Sequence, residues 1–356
     1  MFSFGKFSSF ALSRFGFIIF LFLLTACGAD PSPVPSPTTT LTGTPSPTAT
    51  ATLAPTETPT PTVTPEPAWY QSLDPQSGTL KYQYAEVTDP KARVYATFAD
   101  AAAVNGNFGY VANYPAYVAY TDSRMTDDGR TFYQDQIYHG WIAAENLHPF
   151  TPSTFTGILL TREISFRFGW VLADTQSVNA AGARLRDFKR FDIIHEVESP
   201  SLRDGYVSIG ADEWLPAASV TFTDSTFPAG ADPHYCRFIH VDLQTNILRA
   251  YAGCKLVFAT LVSTGKNSWT FQGRFTILNK WDYLTINSPD WSASDYYMEG
   301  IPYFMSYAGD FGFHGNYWND DFGAAGSHGC INLSPTDAKW LYDWASLGEI
   351  VYIAGK

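Results

Sequence analysis

The stretch that decides both the fold and the chemistry of this chain is GSHGCINLSP, Gly326 to Pro335. Cys330 stands there between a histidine-glycine pair and an asparagine, in a chain of 356 residues with four cysteines. A cysteine in this setting is a buried apolar side chain, half of a disulfide, a metal ligand or a nucleophile, and each role needs different neighbours. The other cysteines and the nearby histidines must therefore decide between these roles.

The first cysteine follows a targeting segment. Residues 1–26 carry two cations, no acids and the apolar run FGFIIFLFLLTA, which is short for a membrane span and typical of a signal peptide. The run continues into LTAC, which matches the lipobox at which bacterial lipoprotein precursors are cleaved. We expect Cys27 to be lipidated and to anchor the chain by acyl chains, with a plain secretory signal as the alternative.

A tether is predicted at residues 27–67. From Pro31 to Pro67 the chain is nearly all Pro, Thr, Ser and Ala. Such a segment cannot bury enough apolar surface to fold, and its prolines favour an extended chain that reaches on the order of 100 Å. A lipid anchor followed by a stiff tether predicts an extracytoplasmic protein that is held at the cell membrane and faces the cell wall.

The charge balance argues against two classes of partner. The chain has 22 Lys and Arg against 34 Asp and Glu, which gives a formal net charge of −12. Nucleic acids and anionic lipid surfaces both bind basic patches, and the sequence contains neither a run of cations nor a phosphate loop. We therefore expect no nucleic-acid partner, and association with a membrane only through Cys27.

A weak internal repeat precedes residue 230. DDGRTFYQDQIYHGWIAAENL, which begins at Asp127, resembles RDGYVSIGADEWLPAASV, which begins at Arg203, with Trp141 and Trp214 in register. Short alternating runs separated by turn residues predict small β-barrels, similar to bacterial SH3-like repeats, at residues 68–150 and 151–230. We expect their tryptophans to be core residues rather than a carbohydrate-stacking surface.

Another folded unit is predicted at residues 233–356. The run CRFIHVDLQTNILRAYAGCKLVFATLVSTGK, Cys236 to Lys266, alternates in hydrophobicity around the polar turn QTN, which predicts antiparallel hairpins. A turn at QTN makes Cys236 and Cys254 face each other near the open end of the hairpin. In an exported protein they form a disulfide or remain two partly buried thiols.

A disulfide there would leave Cys330 unpaired, which favours a reactive thiol over a packing residue. A zinc site would need three or four ligands at suitable spacing. The nearby acidic residues do not have the spacing of a typical zinc site, so we expect no metal. A thiolate nucleophile needs a base and backbone donors for the oxyanion. We expect the amides of Gly329 and Cys330 to be those donors. Ser334 as N-cap and Pro335 at the first helical position predict a short helix directly after this loop.

Four segments in order carry a family resemblance: STGK at Ser263, GRFTI at Gly273, HGNYW at His314 and SHGCINLSPTDAKWLYDW at Ser327. Together they resemble the L,D-transpeptidase catalytic domain, the YkuD family. The resemblance implies a mainly β protein, with a β-sandwich catalytic domain and a short helix after the cysteine, preceded by the small β-barrels. Phe271 stands where the family usually has a proline. This difference weakens what the resemblance implies about substrate specificity, but not what it implies about the nucleophile.

The resemblance also implies roles for individual residues. Cys330 is expected to be the nucleophile and His314 the proton donor and acceptor, with the carbonyl of Gly315 orienting the imidazole. His328 lies two residues from the cysteine in the same loop, and we expect it to support the loop rather than to act as the base. The expected substrate-binding residues are Ser327, Asn332, Trp318 and Tyr303.

The implied reaction joins two peptidoglycan stem peptides, a donor and an acceptor, without a metal or organic cofactor. Cys330 would attack a tetrapeptide stem, release its terminal D-Ala and become acylated. An amine of a second stem would then accept the acyl group. Hydrolysis instead would give an L,D-carboxypeptidase, and a decayed site would give a non-catalytic wall-binding lipoprotein. An NlpC-type peptidase is disfavoured because its cysteine precedes its histidine in the chain.

Overall fold

The computed structural model describes residues 68–78, 80–110, 115–137, 139–198, 204–287 and 296–355. The predicted signal peptide at 1–26, the lipidated Cys27 and the tether at 27–67 lie outside these residues. None of the helices that are described is long and apolar enough to cross a bilayer. The described part of the chain is mainly β, as the sequence predicts.

Among the described residues, nine strands and one α-helix precede residue 161. They are β1 (Tyr70–Ser72), β2 (Gln83–Val87), β3 (Arg93–Tyr95), α1 (Phe98–Ala103), β4 (Phe108–Tyr110), β5 (Ala116–Met125), β6 (Thr131–Asp135), β7 (Trp141–Ala143), β8 (Leu147–Phe150) and β9 (Ile158–Leu160). Helix α1 begins after Thr97, whose hydroxyl accepts a hydrogen bond from the amide of Asp100. Besides the strands, this part has two short 3₁₀ turns, at 75–78 and 144–146.

Seven short strands follow. They are β10 (Phe168–Val171), β11 (Thr175–Val178), β12 (Arg184–Phe188), β13 (Ile193–His195), β14 (Tyr206–Gly210), β15 (Glu213–Pro216) and β16 (Val220–Thr223). Strand β10 pairs with β16, and β11 pairs with β15. In the preceding part β2 pairs with β8, and β3 pairs with β7, so the same order of pairing occurs twice.

The two tryptophans of the repeat occupy equivalent places in this pairing. Trp141 begins β7 and Trp214 lies in β15, and a single 3₁₀ turn, at 144–146 and at 217–219, separates each strand from the last strand of its unit. Both side chains are buried. The internal repeat thus corresponds to a repeated pairing pattern, while its SH3-like character remains a prediction.

The last part of the chain contains eleven strands and the second helix. They are β17 (Arg237–Asp242), β18 (Ile247–Ala252), β19 (Lys255–Leu261), β20 (Thr264–Gly265), β21 (Gly273–Thr276), β22 (Asn279–Asn287), β23 (Tyr297–Ala308), β24 (Phe311–Gly315), β25 (Ala325–Ser327), β26 (Ile331–Leu333), α2 (Pro335–Trp344) and β27 (Ile350–Ala354).

Two sheets share one core in this part. The first has the order β1-β9-β19-β18-β17-β27-β21, and the second begins β26-β24-β23-β5 and continues into the strands of the first repeat. Val241 and Phe258 of the first sheet meet Met305 and Phe313 of the second, with Leu341 of α2 in the same cluster. Because a second cluster covers the other face of the first sheet, β17 and β18 are buried with little alternation.

The first sheet extends beyond the predicted domain boundary at residue 233. Strands β1 and β9, which the sequence assigns to the repeats, pair with each other, and Leu159 of β9 pairs with Phe258 of β19. The sheet that contains the hairpin of Cys236 therefore includes two strands from the segment before residue 233. These pairings join residues about a hundred positions apart, which local sequence patterns do not reveal.

A disulfide closes the open end of the β17–β18 hairpin. Cys236 and Cys254 are bonded to each other, and the amide of Cys254 donates to the carbonyl of Cys236 at 2.9 Å. The turn at the other end places Asn246 in the left-handed region, with φ of 51°. Of the two alternatives that the sequence leaves open, the structure therefore has the bridge, and Cys330 is the free thiol of the described part.

Helix α2 is fixed to the first sheet by a buried carboxyl group. Asp337 accepts hydrogen bonds from the amide of Gly157 at 2.8 Å and from the hydroxyl of Thr260, while its own amide donates to the N-cap Ser334. Burial raises the pKa of Asp337 to about 7, and these hydrogen bonds oppose that rise. Helix α2, which follows the loop of Cys330, is thus bound to both β19 and the segment before β9.

A second buried carboxyl group lies where β23 meets β5. Glu299 accepts from the amide of Ala119 at 3.0 Å and from the hydroxyl of Tyr297 at 2.7 Å, and it shares a hydrogen bond with the carboxyl of Asp135. Burial, and then the charge of Asp135, raise the pKa of Glu299 to about 9. At neutral pH Glu299 is therefore protonated and donates a hydrogen bond to the carboxyl group of Asp135.

We predict that Glu299→Gln removes a pH dependence of stability. Between the ordinary glutamate pKa near 4.5 and the raised value near 9, the folded state binds one more proton than the unfolded chain. The free energy of unfolding should therefore fall as pH rises through this window, by up to about 1 kcal/mol per pH unit. Urea unfolding of both proteins at pH 6 and pH 9 measures this, with the exposed Glu145→Gln as the control. Equal slopes with pH in all three proteins would contradict the prediction.

Candidate active site

The pairing of two short strands places the candidate base. Strands β24 and β26 are parallel, with His314 opposite Asn332 and Phe313 opposite Ile331. Phe313 and Ile331 are fully buried in the core between the sheets. Because successive side chains of a strand point to opposite faces, His314 and Asn332 face away from that core together. Cys330 directly precedes β26, and its side chain lies on the same side of the sheet as those of His314 and Asn332.

His314 and Cys330 line one cleft with a volume of about 670 Å³. Phe304 and Ser306 of β23 form part of its wall, and Trp318 lies on the side of His314. Within the described residues, no group of three ligating side chains is arranged to hold a metal ion. The cleft thus brings a thiol and an imidazole to one mainly uncharged surface.

Cys330 is a neutral thiol at rest. Burial raises the pKa of its thiol to about 11; a hydrogen bond from the amide of Gly312 opposes this rise, and the charge of Asp310 adds to it. The sulfur also lies 3.9 Å from the carbonyl oxygen of Asp310, to which the thiol donates weakly. The thiolate therefore has to form during the reaction, when a base removes the proton.

His314 is placed to be that base. Its Nδ1 lies 3.2 Å from the carbonyl oxygen of Gly315, and a carbonyl only accepts, so Nδ1 carries the proton and Nε2 has a free lone pair. Burial lowers the pKa of His314 to about 4, which leaves the imidazole neutral at physiological pH. Its ring is stacked on Phe304, with centroids 5.7 Å apart. The predicted orienting role of Gly315 corresponds to this contact.

Hydrogen bonds within the loop set the position of the cysteine. The hydroxyl of Ser327 donates to the carbonyl of Cys330 at 2.5 Å and accepts from the amide of Gly329 at 3.0 Å. The expectation that Gly329 supplies an oxyanion donor is therefore wrong for this conformation, because its amide is directed to Ser327. Thr270 reaches the same loop, donating to the carbonyl of Gly329 at 2.9 Å.

Gly329 is required for a steric reason instead. Its φ is 128°, and a Cβ built at this position would lie 2.2 Å from the ring of Phe311. A side chain cannot be accommodated unless the loop or the ring moves. The glycine therefore permits the loop to pass close to Phe311 on its way to Cys330.

His328, in the same loop as Cys330, also lines the cleft. Its exposed ring is stacked between Trp269, at 5.6 Å, and Tyr296, at 5.1 Å. Burial against these rings, and then the charge of Lys266, lower its pKa. These contacts connect the catalytic loop to two neighbouring segments, which is consistent with the predicted supporting role.

The other predicted substrate-binding residues divide into two groups. Ser327, Asn332 and Trp318 line the cleft, and the buried side-chain oxygen of Asn332 has no hydrogen-bond partner among the described residues. Tyr303, in contrast, is buried in the core and does not line the cleft, so that expectation is wrong. On β23, Phe304 and Ser306 face the cleft while the residues that alternate with them face the core.

Phe304 and Asp310 are among the cleft residues that the sequence did not predict. Phe304 follows Tyr303 directly, and the alternation of the strand would have found it had the face of either residue been known. Asp310 lies in the turn between β23 and β24 and contacts Cys330 through its carbonyl. In the sequence, nothing about an acidic residue beside a glycine in a short turn indicates that a thiol lies near it in the fold.

Comparison with known proteins supports a catalytic domain in this part of the chain. Residues 237–353 match the family model YkuD, described as the L,D-transpeptidase catalytic domain. The chain is 29% identical over 143 residues to "Putative L,D-transpeptidase YciB" of Bacillus subtilis, covering 35% of this chain and 70% of that protein. It is also 29% identical over 123 residues to "L,D-transpeptidase 2" of Mycobacterium tuberculosis, covering 32% and 29%. The matched segment contains both Cys330 and His314.

Solved structures give matches of similar extent. The crystal structure of the Enterococcus faecium L,D-transpeptidase C442S mutant is 26% identical, with a TM-score of 0.31, and the match covers 34% of this chain and 50% of that one. The NMR structure of the E. faecium catalytic domain is 27% identical, with a TM-score of 0.30, and covers 33% and 96%. The family match and the similarity to the Bacillus subtilis protein support a YkuD-type domain at residues 237–353.

We predict slow alkylation of Cys330 at neutral pH. Only the thiolate reacts with iodoacetamide, and the raised pKa near 11 leaves little thiolate at pH 7. The rate should rise about tenfold per pH unit from pH 7 to pH 9.5 without a plateau. Mass mapping of the labelled peptide measures it, with the urea-unfolded protein as the control, where the ordinary thiol pKa applies. A plateau below pH 8.5 in the folded protein would show that the thiol is more acidic than its surroundings imply.

We also predict that Gly329→Ala abolishes most of the reactivity of the site without unfolding the protein. The new Cβ would collide with Phe311 and displace the loop, so acylation of Cys330 should slow at least about tenfold. Gly109→Ala is the matched control, because a Cβ there meets nothing within 4 Å. Acylation rates by mass spectrometry, with circular dichroism as the folding check, test this. Wild-type acylation in the Gly329 variant would refute the steric requirement.

Proposed function

We propose that the protein is an L,D-transpeptidase that forms an acyl-enzyme with a peptidoglycan stem through Cys330 and transfers the acyl group to an amine. The observation that carries this is the cleft shared by a neutral thiol and a neutral imidazole whose Nε2 is unprotonated. A thiol and a base of this kind support acyl transfer, and the YkuD match supports peptidoglycan as the substrate class.

The first half-reaction is acylation. As the sulfur of Cys330 attacks the carbonyl of the L-centre in a tetrapeptide stem, His314 takes the thiol proton on Nε2. Protonation of a histidine with a lowered pKa is unfavourable, so the proton is readily given to the departing amine of D-Ala. The amide of Cys330 is the remaining predicted donor to the oxyanion, since that of Gly329 is bound to Ser327.

The second half-reaction returns the enzyme to its resting state. The amine of a second stem attacks the thioester, His314 removes a proton from the nitrogen, and the sulfur leaves and recovers that proton. The product is an amide between two stems. Attack by water in place of the amine gives a shortened stem and makes the protein an L,D-carboxypeptidase.

Position at the cell wall completes the proposal. The lipobox at Cys27 and the Pro/Thr-rich segment to residue 67 support an extracytoplasmic enzyme anchored by acyl chains and able to reach a polymer outside the membrane. The acidic net charge of −12 supports a partner that is neither nucleic acid nor anionic lipid.

We predict that the full-length protein converts a purified disaccharide-tetrapeptide into a dimer that has lost one D-Ala. Cys330→Ala should lose this activity completely, because no nucleophile remains. His314→Gln should lose at least about a hundredfold, the usual contribution of a general base. Mass spectrometry of the products, together with the intact mass of the protein, measures cross-linking and the acyl-enzyme separately.

The outcomes separate the candidate activities. Tripeptide without dimer in the wild type would establish the carboxypeptidase instead. No acylated protein and no product would refute both enzymatic activities and favour a wall-binding protein, which a sedimentation assay with isolated cell walls would then detect. Trp269→Phe is a suitable control, since it keeps the ring beside His328 and leaves the reacting atoms unchanged.

A further inference from the structure

Among the described residues that line the cleft, Asp310 is the one with a carboxylate side chain. It lies in the turn between Ala308 and Phe311, lines the same surface as Cys330 and His314, and accepts from the thiol through its own carbonyl oxygen. The other described residues of the lining, apart from the histidines, have uncharged side chains. A ligand group in contact with the sulfur is therefore close to one fixed negative charge.

The carboxylate of Asp310 has no cation beside it in the described part of the chain. Two other surface acids illustrate the contrast, since Asp174 is paired with Lys189 at 2.7 Å and Asp320 with Arg190 at 3.0 Å. Among the ion pairs of the described residues none includes Asp310. Its charge opposes formation of the thiolate, so it is unfavourable for the nucleophile unless a ligand supplies a cation.

Turn geometry alone does not require this charge. Gly309 has a φ of 55° and adopts the left-handed conformation in the two-residue turn, while Asp310 occupies the second position. Asparagine serves at such positions as well as aspartate does. An uncharged side chain would therefore keep the turn and remove the repulsion of the thiolate.

We propose that Asp310 selects the acceptor: it binds the ammonium group of an amine that has no carboxylate next to it, such as the side chain of a lysine-type diamino acid or an amidated diamino acid. This inference rests on the proposed transpeptidase function. An acceptor whose reacting amine lies beside a free carboxylate would bring two like charges together at the cleft and would be disfavoured.

The transfer remains balanced with this residue in place. The ammonium group binds beside Asp310 and releases one proton to water as its nitrogen moves to the thioester. The nitrogen bonds to the acyl carbon and the carbon–sulfur bond breaks; His314 takes the second proton and returns it to the sulfur of Cys330. The products are one amide, the free thiol and one proton.

Two matched acceptors test the proposal. They are tripeptide stems that differ only at the reacting centre, where one has a carboxylate beside the amine and the other a carboxamide. With a tetrapeptide donor and both acceptors in competition, the full-length wild type should prefer the carboxamide about tenfold at low salt, and less as ionic strength rises. Asp310→Asn, which keeps the turn, should reduce the preference to about twofold or less. Product ratios by mass spectrometry provide the measurement.

The control is Asp321→Asn, an exposed acid near the catalytic loop that is not part of the cleft lining, and it should retain the wild-type ratio. Equal ratios in the wild type and in the Asp310 variant would overturn the inference, as would the absence of any preference in the wild type. The mass of acylated Cys330 is read in the same samples. Acylation with an unchanged ratio refutes the acceptor role alone, whereas no acylation refutes the proposed function and this inference with it.

Discussion

The parallel pairing of β24 with β26 is the constraint on which the site depends. It sets His314 beside Asn332 because Phe313 and Ile331, one position earlier on each strand, are buried in the core between the sheets. A slip of one residue in either strand would exchange an apolar side chain for a polar one in that core. Burial of hydrophobic side chains therefore fixes the register, and the geometry of the chemistry follows from it.

The same burial decides the protonation of the site. It raises the pKa of the Cys330 thiol and lowers that of the His314 imidazole, so each group is neutral in the resting enzyme. A charged pair formed in advance would be stabilised by water, which this cleft partly excludes. In the proposed reaction the proton moves only when the substrate carbonyl is in place, which couples reactivity to binding.

Residues in short local motifs could be located from the sequence. Residues whose surroundings depend on the three-dimensional path of the backbone could not. Cys330, His314 and the cap at Ser334 lie in short motifs whose spacing is visible in the chain. Tyr303 was misplaced because the sequence does not show which face of β23 meets the core. The amide of Gly329 was misplaced because an acceptor two residues away, the hydroxyl of Ser327, competes for it.

Strand pairing over long distances also explains why the predicted boundaries are not edges of the structure. β9 pairs with β19 through Leu159 and Phe258, so cutting the chain at residue 233 would uncover an edge of the first sheet. In the second sheet, β5 pairs with the start of β23. Glu299 and Asp135 share a hydrogen bond at this junction, and Met298, next to Glu299 in the chain, lines the cleft. One wall of the cleft thus begins at the junction with the first repeat. Because Tyr297 and Met298 of β23 pair with Ala116 and Tyr117 of β5, the first repeat contributes backbone hydrogen bonds to the strand that forms this wall.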